Sequence, residues 1–372
     1  MKILHLLEAT QGGTRRHVLD LLPALQRRGL QCELIYSSLR YPAFCDDARV
    51  LEAQGIPTHD VPMTRSWGGK IDAQALIHIR DKIKHSSPNV IHCHSTKAGL
   101  LGRLAVQSTL MRIPVVYTPH CLAFDTGLPL RQRRAARYLE KLLAPSTAHF
   151  IAVSAHEKRA MQRVKLAPGG RISMIHNGVD LDDFDRFAPA TLPSSKYFTL
   201  GCFGRLSRQK NQTVLLGALT LLREKMPSIR LLLIGGGEDE AMLRSIVRRC
   251  ELQELVTFVG EQAEPRPWYF DCDVVVQPSR WESCPYSVLE AMSARRAVLA
   301  SPVGGVPELL GEDGLAGIFC QPCTAEVIAQ RVLEIAGQTS PELGDSARER
   351  VEKYFGVETM VEKTMAVYDK VL

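Results

Sequence analysis

A chain of 372 residues is too long for one ordinary hydrophobic core, and at about 150 residues per domain it should fold as two. Apolar residues make up 45% and charged residues 23%, the balance of an ordinary globular protein, which excludes a chain dominated by disorder. Lys plus Arg number 46 against 40 Asp plus Glu, a formal charge of +6 that favours anionic small molecules and falls short of a nucleic-acid binder.

The opening KILHLL is a short apolar run that meets a glycine turn, as a first buried strand does, and it is not a signal peptide. TRRHVLDLLPALQRR follows as a helix. QCELIYS then FCDDARVLEAQG, NVIHCHS then KAGLLGRLAVQSTL, and IPVVYTP then a basic segment repeat the strand-and-helix rhythm of βαβ units. AHFIAVS leads to a helix over 155–164, and RISMIHNGVD closes the half as a strand with an Asn-Gly turn. The acidic, proline-dotted LDDFDRFAPATLPSS reads as a solvated linker, with the boundary between Leu181 and Lys196. The rhythm restarts with YFTLGCFGRL, a helix over 211–223, IRLLLIGGG, a helix over 238–250, VTFVG, DVVVQPS, a helix over 286–294 and AVLAS, so a second parallel sheet is expected. A helical tail runs over 346–372.

No stretch reaches the roughly 18 uninterrupted apolar residues of a spanning helix, so membrane contact would be peripheral. The 10 cysteines show no spacing of a secreted disulfide framework, which fits a reducing cytoplasm. In LRQRRAARYLEKLLAP, Arg131, Arg133, Arg134, Arg137 and Lys141 share a helix with Leu130, Tyr138, Leu139, Leu142 and Leu143. It is either a membrane-surface helix or a solvated helix packed on its leucine side.

Candidate chemistry gathers at strand ends. The first strand ends at Gly12 and Gly13 with a helix beginning at once, so the turn is either an anion site built from helix N–H groups or a tight turn that needs glycine. The spacing of GGTRRH excludes the usual G-x-G-x-x-G dinucleotide fingerprint. After the first strand of the second half, GRLSRQKN places Arg205 and Lys210 where strand gives way to helix, where two cations suit a diphosphate. In WESCPYSVLEAM, Glu282 lies in a loop and Glu290 about one turn inside a helix, so both carboxylates can accept bonds from the hydroxyls of one ligand. Amides near Tyr286 and Ser287, at the positive end of that helix, could hold phosphate.

Taken in order, GG at 12–13, TPH at 118–120, IHNGVD, GRL with a lysine five residues after the arginine, Glu-x7-Glu and SPVGGVPELL resemble the retaining GT-B glycosyltransferases of family 4 (group 1), of bacterial polysaccharide type. The resemblance runs nearly end to end. It implies an α/β fold of two Rossmann-like domains with parallel sheets facing across a deep cleft. An acceptor-binding domain would span 1–185, with the tail helix 356–372 packed back onto it, and a donor-binding domain 196–355. Arg205, Lys210, Glu282 and His120 would be catalytic. Gly13, Gly204, Glu290, Tyr286, Ser287 and Val288 would bind the donor, and Gly12, His94 and Lys97 the acceptor. The implied reaction moves a hexose-type sugar from a UDP- or GDP-linked donor to a hydroxyl of a saccharide or lipid-linked saccharide. It needs no metal and takes place in the cytoplasm, at the inner face of the membrane where an anionic surface is in reach. The pattern departs after EAM, where Ala294, Arg295, Arg296 and Ala297 replace the family's small residue, glycine, apolar residue and proline. Two other functions fit the architecture: a nucleotide-sugar epimerase, which needs no acceptor, and a non-catalytic sugar or lipid-head-group binder.

Rival motifs read as structural. Asp271 and Asp273 form a D-x-D at the start of a buried strand, and Cys320 and Cys323 form a lone C-x-x-C. His92 and His94 point the same way from a strand, with no third metal ligand evident in the sequence.

Overall fold

The computed structural model describes residues 1–64, 68–189, 196–311, 314–337 and 340–372. The chain divides into two units, the first formed by 1–178 with 357–372 and the second by 179–356.

The first unit is built on a seven-stranded sheet of β1 (Lys2–Leu7), β2 (Gln31–Tyr36), β3 (Thr58–Asp60), β4 (Val90–His94), β5 (Val115–Thr118), β6 (His149–Ala152) and β7 (Ile172–Met174), in the order β3-β2-β1-β4-β5-β6-β7. Every pairing is parallel. Both faces are covered, so the strands are apolar throughout rather than alternating. On β1, Ile3 and Leu7 join the core beneath the helix Gly13–Arg27, and Leu4 and Leu6 join the core on the other face. The C-terminal helix Val357–Val371 buries Met360, Val361, Val367 and Tyr368 in the first of these cores. Burying an aliphatic or aromatic side chain of this size contributes about 1.5–3 kcal/mol.

The second unit carries a six-stranded sheet of β8 (Phe198–Phe203), β9 (Ile229–Ile234), β10 (Val256–Gly260), β11 (Val274–Gln277), β12 (Ala297–Ala300) and β13 (Ile318–Phe319), ordered β10-β9-β8-β11-β12-β13 and again parallel. In each sheet the chain reverses its direction of winding once, between β1 and β4 and between β8 and β11. Open parallel sheets bind ligands at the carboxyl ends of the strands flanking such a point.

Several features escaped the sequence pattern. The helix Lys70–Ser86 and the short strands β3 and β13 are additions to the expected elements. The acidic run is not a solvated linker: Leu181–Asp185 is a helix of the second unit, started by Asp180, whose side chain accepts from the Asp183 amide, and pinned by the fully buried Phe184. Asp185 pairs with Arg348 through two bonds of 2.7 Å, so the second unit begins at Val179, before the expected boundary. Residues 190–195 of that stretch lie outside the described residues. Where the family pattern has glycine, Arg295 adopts a left-handed φ of 55° and pairs with Asp345 at 2.7 Å. Among the described residues no helix is long and apolar enough to cross a membrane.

Candidate active site

In the second unit charged side chains gather at the switch point. β8 ends in Gly204, whose φ of 121° is open to glycine and strained for other residues. A Cβ on Gly204 would stand 2.9 Å from Lys210 Cε, so its absence lets the lysine fold back over the strand end. Lys210 Nζ then reaches Glu282 Oε1 at 2.8 Å. The same oxygen accepts from Ser279 Oγ at 2.8 Å and Gln277 Nε2 at 3.0 Å, and Gln277 Oε1 takes a 3.3 Å bond from Ser287 Oγ. Arg205, next after Gly204, is half-buried, and its backbone carbonyl accepts from Gln212 Nε2 at 2.9 Å. The glycines of IGGG make the fit possible: a Cβ on Gly235 would lie 2.2 Å from the Gly204 carbonyl oxygen, and one on Gly237 2.3 Å from that of Leu206.

Glu290 sits on the helix Tyr286–Ser293, which Pro285 precedes as the N-terminal cap residue. Its carboxylate accepts a 2.8 Å bond from Tyr269 Oη, and the Tyr269 ring stacks on Phe203 at 3.7 Å. Burial, together with the neighbouring Glu290 carboxylate, raises the Tyr269 phenol well above its ordinary range, so it stays a donor. Glu282 and Lys210 are thus brought together, while Glu290 is tied to Tyr269. Sequence reasoning missed Gln277, Ser279 and Tyr269. The polar Gln277-Pro-Ser at the end of an apolar strand was a signal for the first two, whereas nothing in the spacing pointed to Tyr269.

Asp271-x-Asp273 is structural, for Asp273 Oδ2 accepts from the Thr199 amide at 2.7 Å and its own amide donates to the Thr199 carbonyl at 2.9 Å. Cys320 and Cys323 are free thiols with sulfurs 3.5 Å apart.

The first unit gathers histidines at the equivalent place. Parallel register sets His5 on β1 directly beside His92 on β4. His94 lies two residues on and so faces the same side. His17 comes down from the helix Gly13–Arg27, and His120 follows β5 with a left-handed φ of 59°. His5 Nδ1 and His94 Nε2 share a hydrogen bond of 3.1 Å, and His94 Nδ1 and His120 Nε2 one of 3.2 Å. His17 Nδ1 bonds Asn177 Oδ1 at 3.0 Å, which gives the IHNGVD motif a job. His92 is satisfied on both sides, by Tyr368 Oη at 2.7 Å and Thr118 Oγ1 at 2.8 Å. The sequence pattern showed no third ligand near His92 and His94; the register supplies His5, and the helix and loop supply His17 and His120. Burial strips these rings of hydration and holds them neutral, lowering His5 to about 3 and His17 to about 4, with His92, His94 and His120 well below their ordinary value.

Gly12 and Gly13 are exposed at the start of their helix, with φ 68° at Gly12. His94 is fully enclosed, and Lys97, also buried, holds Asp72 Oδ2 at 2.6 Å, so both side chains turn to neighbours within the unit. The basic helix Leu130–Leu143 divides its apolar residues, with Leu143 buried and Leu139 half-buried against the unit. Glu140 points inward with them, pairing with the buried Arg103 at 2.9 Å and accepting from Tyr117 Oη at 2.9 Å, while Leu130, Tyr138 and Leu142 are exposed.

Residues 11–183 match the Glycosyltransferase Family 4 profile and residues 183–354 the Glycosyl transferases group 1 profile. The chain belongs to the family 4, group 1 glycosyltransferases. It is 28% identical to a D-inositol 3-phosphate glycosyltransferase of Pseudarthrobacter chlorophenolicus over 82% of this chain and 78% of the relative. It is also 28% identical to a UDP-Gal:alpha-D-GlcNAc-diphosphoundecaprenol alpha-1,3-galactosyltransferase of Escherichia coli, over 63% of each. Among solved structures, Anabaena Alr3699/HepE in complex with UDP and glucose superposes with a TM-score of 0.82 at 21% identity, covering 99% of both chains. That likeness establishes the fold of this glycosyltransferase as GT-B, two Rossmann-like halves.

Proposed function

We propose that this glycosyltransferase moves a hexose-type sugar from a UDP- or GDP-linked donor, UDP favoured, to a saccharide hydroxyl with retained anomeric configuration and without a divalent metal. The observation that carries the reading is the Lys210–Glu282 pair at the switch point of the second sheet, with Arg205 just past the end of the same strand that leads to Lys210 and the helix Tyr286–Ser293 starting just after Glu282. Arg205 and Lys210 neutralise the departing diphosphate, doing the electrostatic work a metal does elsewhere. The amides of Tyr286, Ser287 and Val288 meet phosphate, and Gly204 lets it approach the backbone. Glu290, steadied by Tyr269, accepts from the ribose hydroxyls; Glu282 accepts from the sugar through Oε2, which takes none of the three bonds made to Oε1. In the first unit, Gly13 approaches the donor phosphate and Gly12 the acceptor, and His120 positions and stabilises the reacting sugar. His94 and Lys97 act behind that surface, His94 through its bond to His120.

The structure with UDP and glucose bound to a chain of the same fold supports a uridine donor, and the undecaprenol-linked substrate in the name of the Escherichia coli relative supports a lipid-linked acceptor. The exposed Leu130, Tyr138 and Leu142 beside Arg131, Arg134, Arg137 and Lys141 suit an anionic membrane face on the cytoplasmic side. A thermal-shift panel of UDP, GDP, ADP and their sugar conjugates in EDTA tests the reading. UDP or GDP should stabilise the protein according to its concentration over Kd, and Glu290→Ala should abolish the shift. Silence toward every nucleotide would favour a non-catalytic binder, and donor conversion with no acceptor present an epimerase.

A further inference from the structure

The geometry points to a site for a zinc-class divalent ion on His17, His94 and His120, whose occupation arrests His120 and so suppresses transfer. The arrest rests on the role proposed above for His120; the ion site does not.

One nitrogen from each of these rings lies within 4.8 Å of the others. Asn177 Oδ1 can only accept, so His17 carries its proton on Nδ1, and its buried Nε2, with no hydrogen-bond partner among the described residues, keeps a lone pair. A ligating histidine is usually oriented in this way, its other nitrogen donating to a fixed oxygen. His94 can donate from Nε2 to His5 Nδ1 and present Nδ1, which leaves His94 Nδ1 and His120 Nε2 facing each other at 3.2 Å. Two nitrogens bound about 2.0–2.1 Å from one tetrahedral ion stand roughly 3.3 Å apart. An ion can therefore replace the single His94–His120 hydrogen bond at nearly the same nitrogen–nitrogen separation, each ring turning so that its lone pair meets the ion off the line between them. The alternative group of His5, His92 and His94 fits less well. His92 would have to surrender its bond to Tyr368 or to Thr118, and each member of that group is fully enclosed, whereas His120 is half-buried and offers a way in.

Three neutral imidazoles select zinc, cobalt, nickel or copper over the oxygen-seeking magnesium and manganese. The fourth position is left for water. A ring held by such an ion cannot also serve a sugar.

The test uses the untagged full chain, stripped with EDTA and titrated with Co²⁺, with visible absorption as the readout. A single equivalent should bind with the intense spectrum of tetrahedral cobalt and be displaced by Zn²⁺ but not by Mg²⁺. His17→Gln should abolish the spectrum. Asn177→Ala, which removes only the orienting oxygen, should weaken binding by about 10- to 100-fold. Circular dichroism establishes that each variant is folded, and Asn177→Ala still tests the site should His17→Gln not fold. No tetrahedral spectrum, or one unchanged in the folded variants, overturns the proposal. So does a spectrum lost in His92→Gln and kept in His17→Gln. Thermal stabilisation by UDP or GDP, measured on the same samples, reports on the other unit. A chain that binds UDP or GDP and not cobalt sinks the ion site alone; one that binds cobalt and neither nucleotide sinks the transferase reading, and the arrest with it, and leaves the ion site standing.

Discussion

The two units place different chemistry at the same point of nearly the same topology. Each winds its parallel sheet outward from a central pair of strands, β1 with β4 and β8 with β11, and each puts polar side chains where that pair ends. In the second unit these groups are charged and compensated, with Lys210 against Glu282 and bonds from Gln277 and Ser279 completing the carboxylate's shell. In the first unit they are neutral rings that satisfy one another, His5 to His94 to His120. The fold supplies the location, and the side chains decide which charge a ligand meets there.

Breaking the charged half should have the largest effect. Arg205→Ala is expected to lower kcat by roughly 100- to 1000-fold, as loss of a preorganised charge stabiliser does. Steady-state kinetics and hydrogen exchange on one sample should show the first unit's protection unchanged. Near-normal turnover would remove Arg205 from the reaction.

Acid should single out the neutral half. A histidine held neutral by burial takes up its proton more readily in the unfolded chain, where the value is about 6.5. Stability is therefore complete above about pH 6.5 and is lost as pH falls toward the folded values, about 4 for His17 and about 3 for His5. Each such ring contributes a slope of up to about 1.4 kcal/mol per pH unit across that window. Amide exchange in β1 and β4, corrected for its intrinsic pH dependence, should quicken between pH 7 and pH 5 relative to β8 and β11. Equal loss in both units would erase the distinction.

The smallest effect is expected from Tyr269→Phe, which takes one donor from Glu290 and leaves the stacking on Phe203 in place. UDP affinity by calorimetry should fall by about tenfold, the equivalent of about 1.4 kcal/mol, with kcat much less affected.

The rhythm of strand and helix was readable because parallel strands covered on both faces are continuous apolar runs with helical patterns between them. Arg205, Lys210, Glu282 and Glu290 were readable because each belongs to a short local motif. The histidine cluster was not: His5 and His92 stand far apart in sequence and meet only because β4, rather than β2 alone, lies beside β1. Strand order is a property of the whole sheet. Tyr269 could not be matched to Glu290 because they meet through the packing of two helices, Arg266–Phe270 and Tyr286–Ser293, on either side of β11 in the chain. The acidic helix Leu181–Asp185 was misread because its composition suits a solvated turn, while a single aromatic, Phe184, decides its burial.

The bond between Lys210 and Glu282 also bears on how a spent nucleotide leaves. If Lys210 must let go of a carboxylate to take hold of a phosphate, the side chain is never without an anion, and Glu282 behaves as an internal competitor for the product. A stray inorganic anion would have to displace that competitor without help from a nucleoside, which guards the pocket against being clogged. As the diphosphate slips away, the carboxylate is already within reach to recapture the lysine. The same contact that delays loading would then hasten turnover.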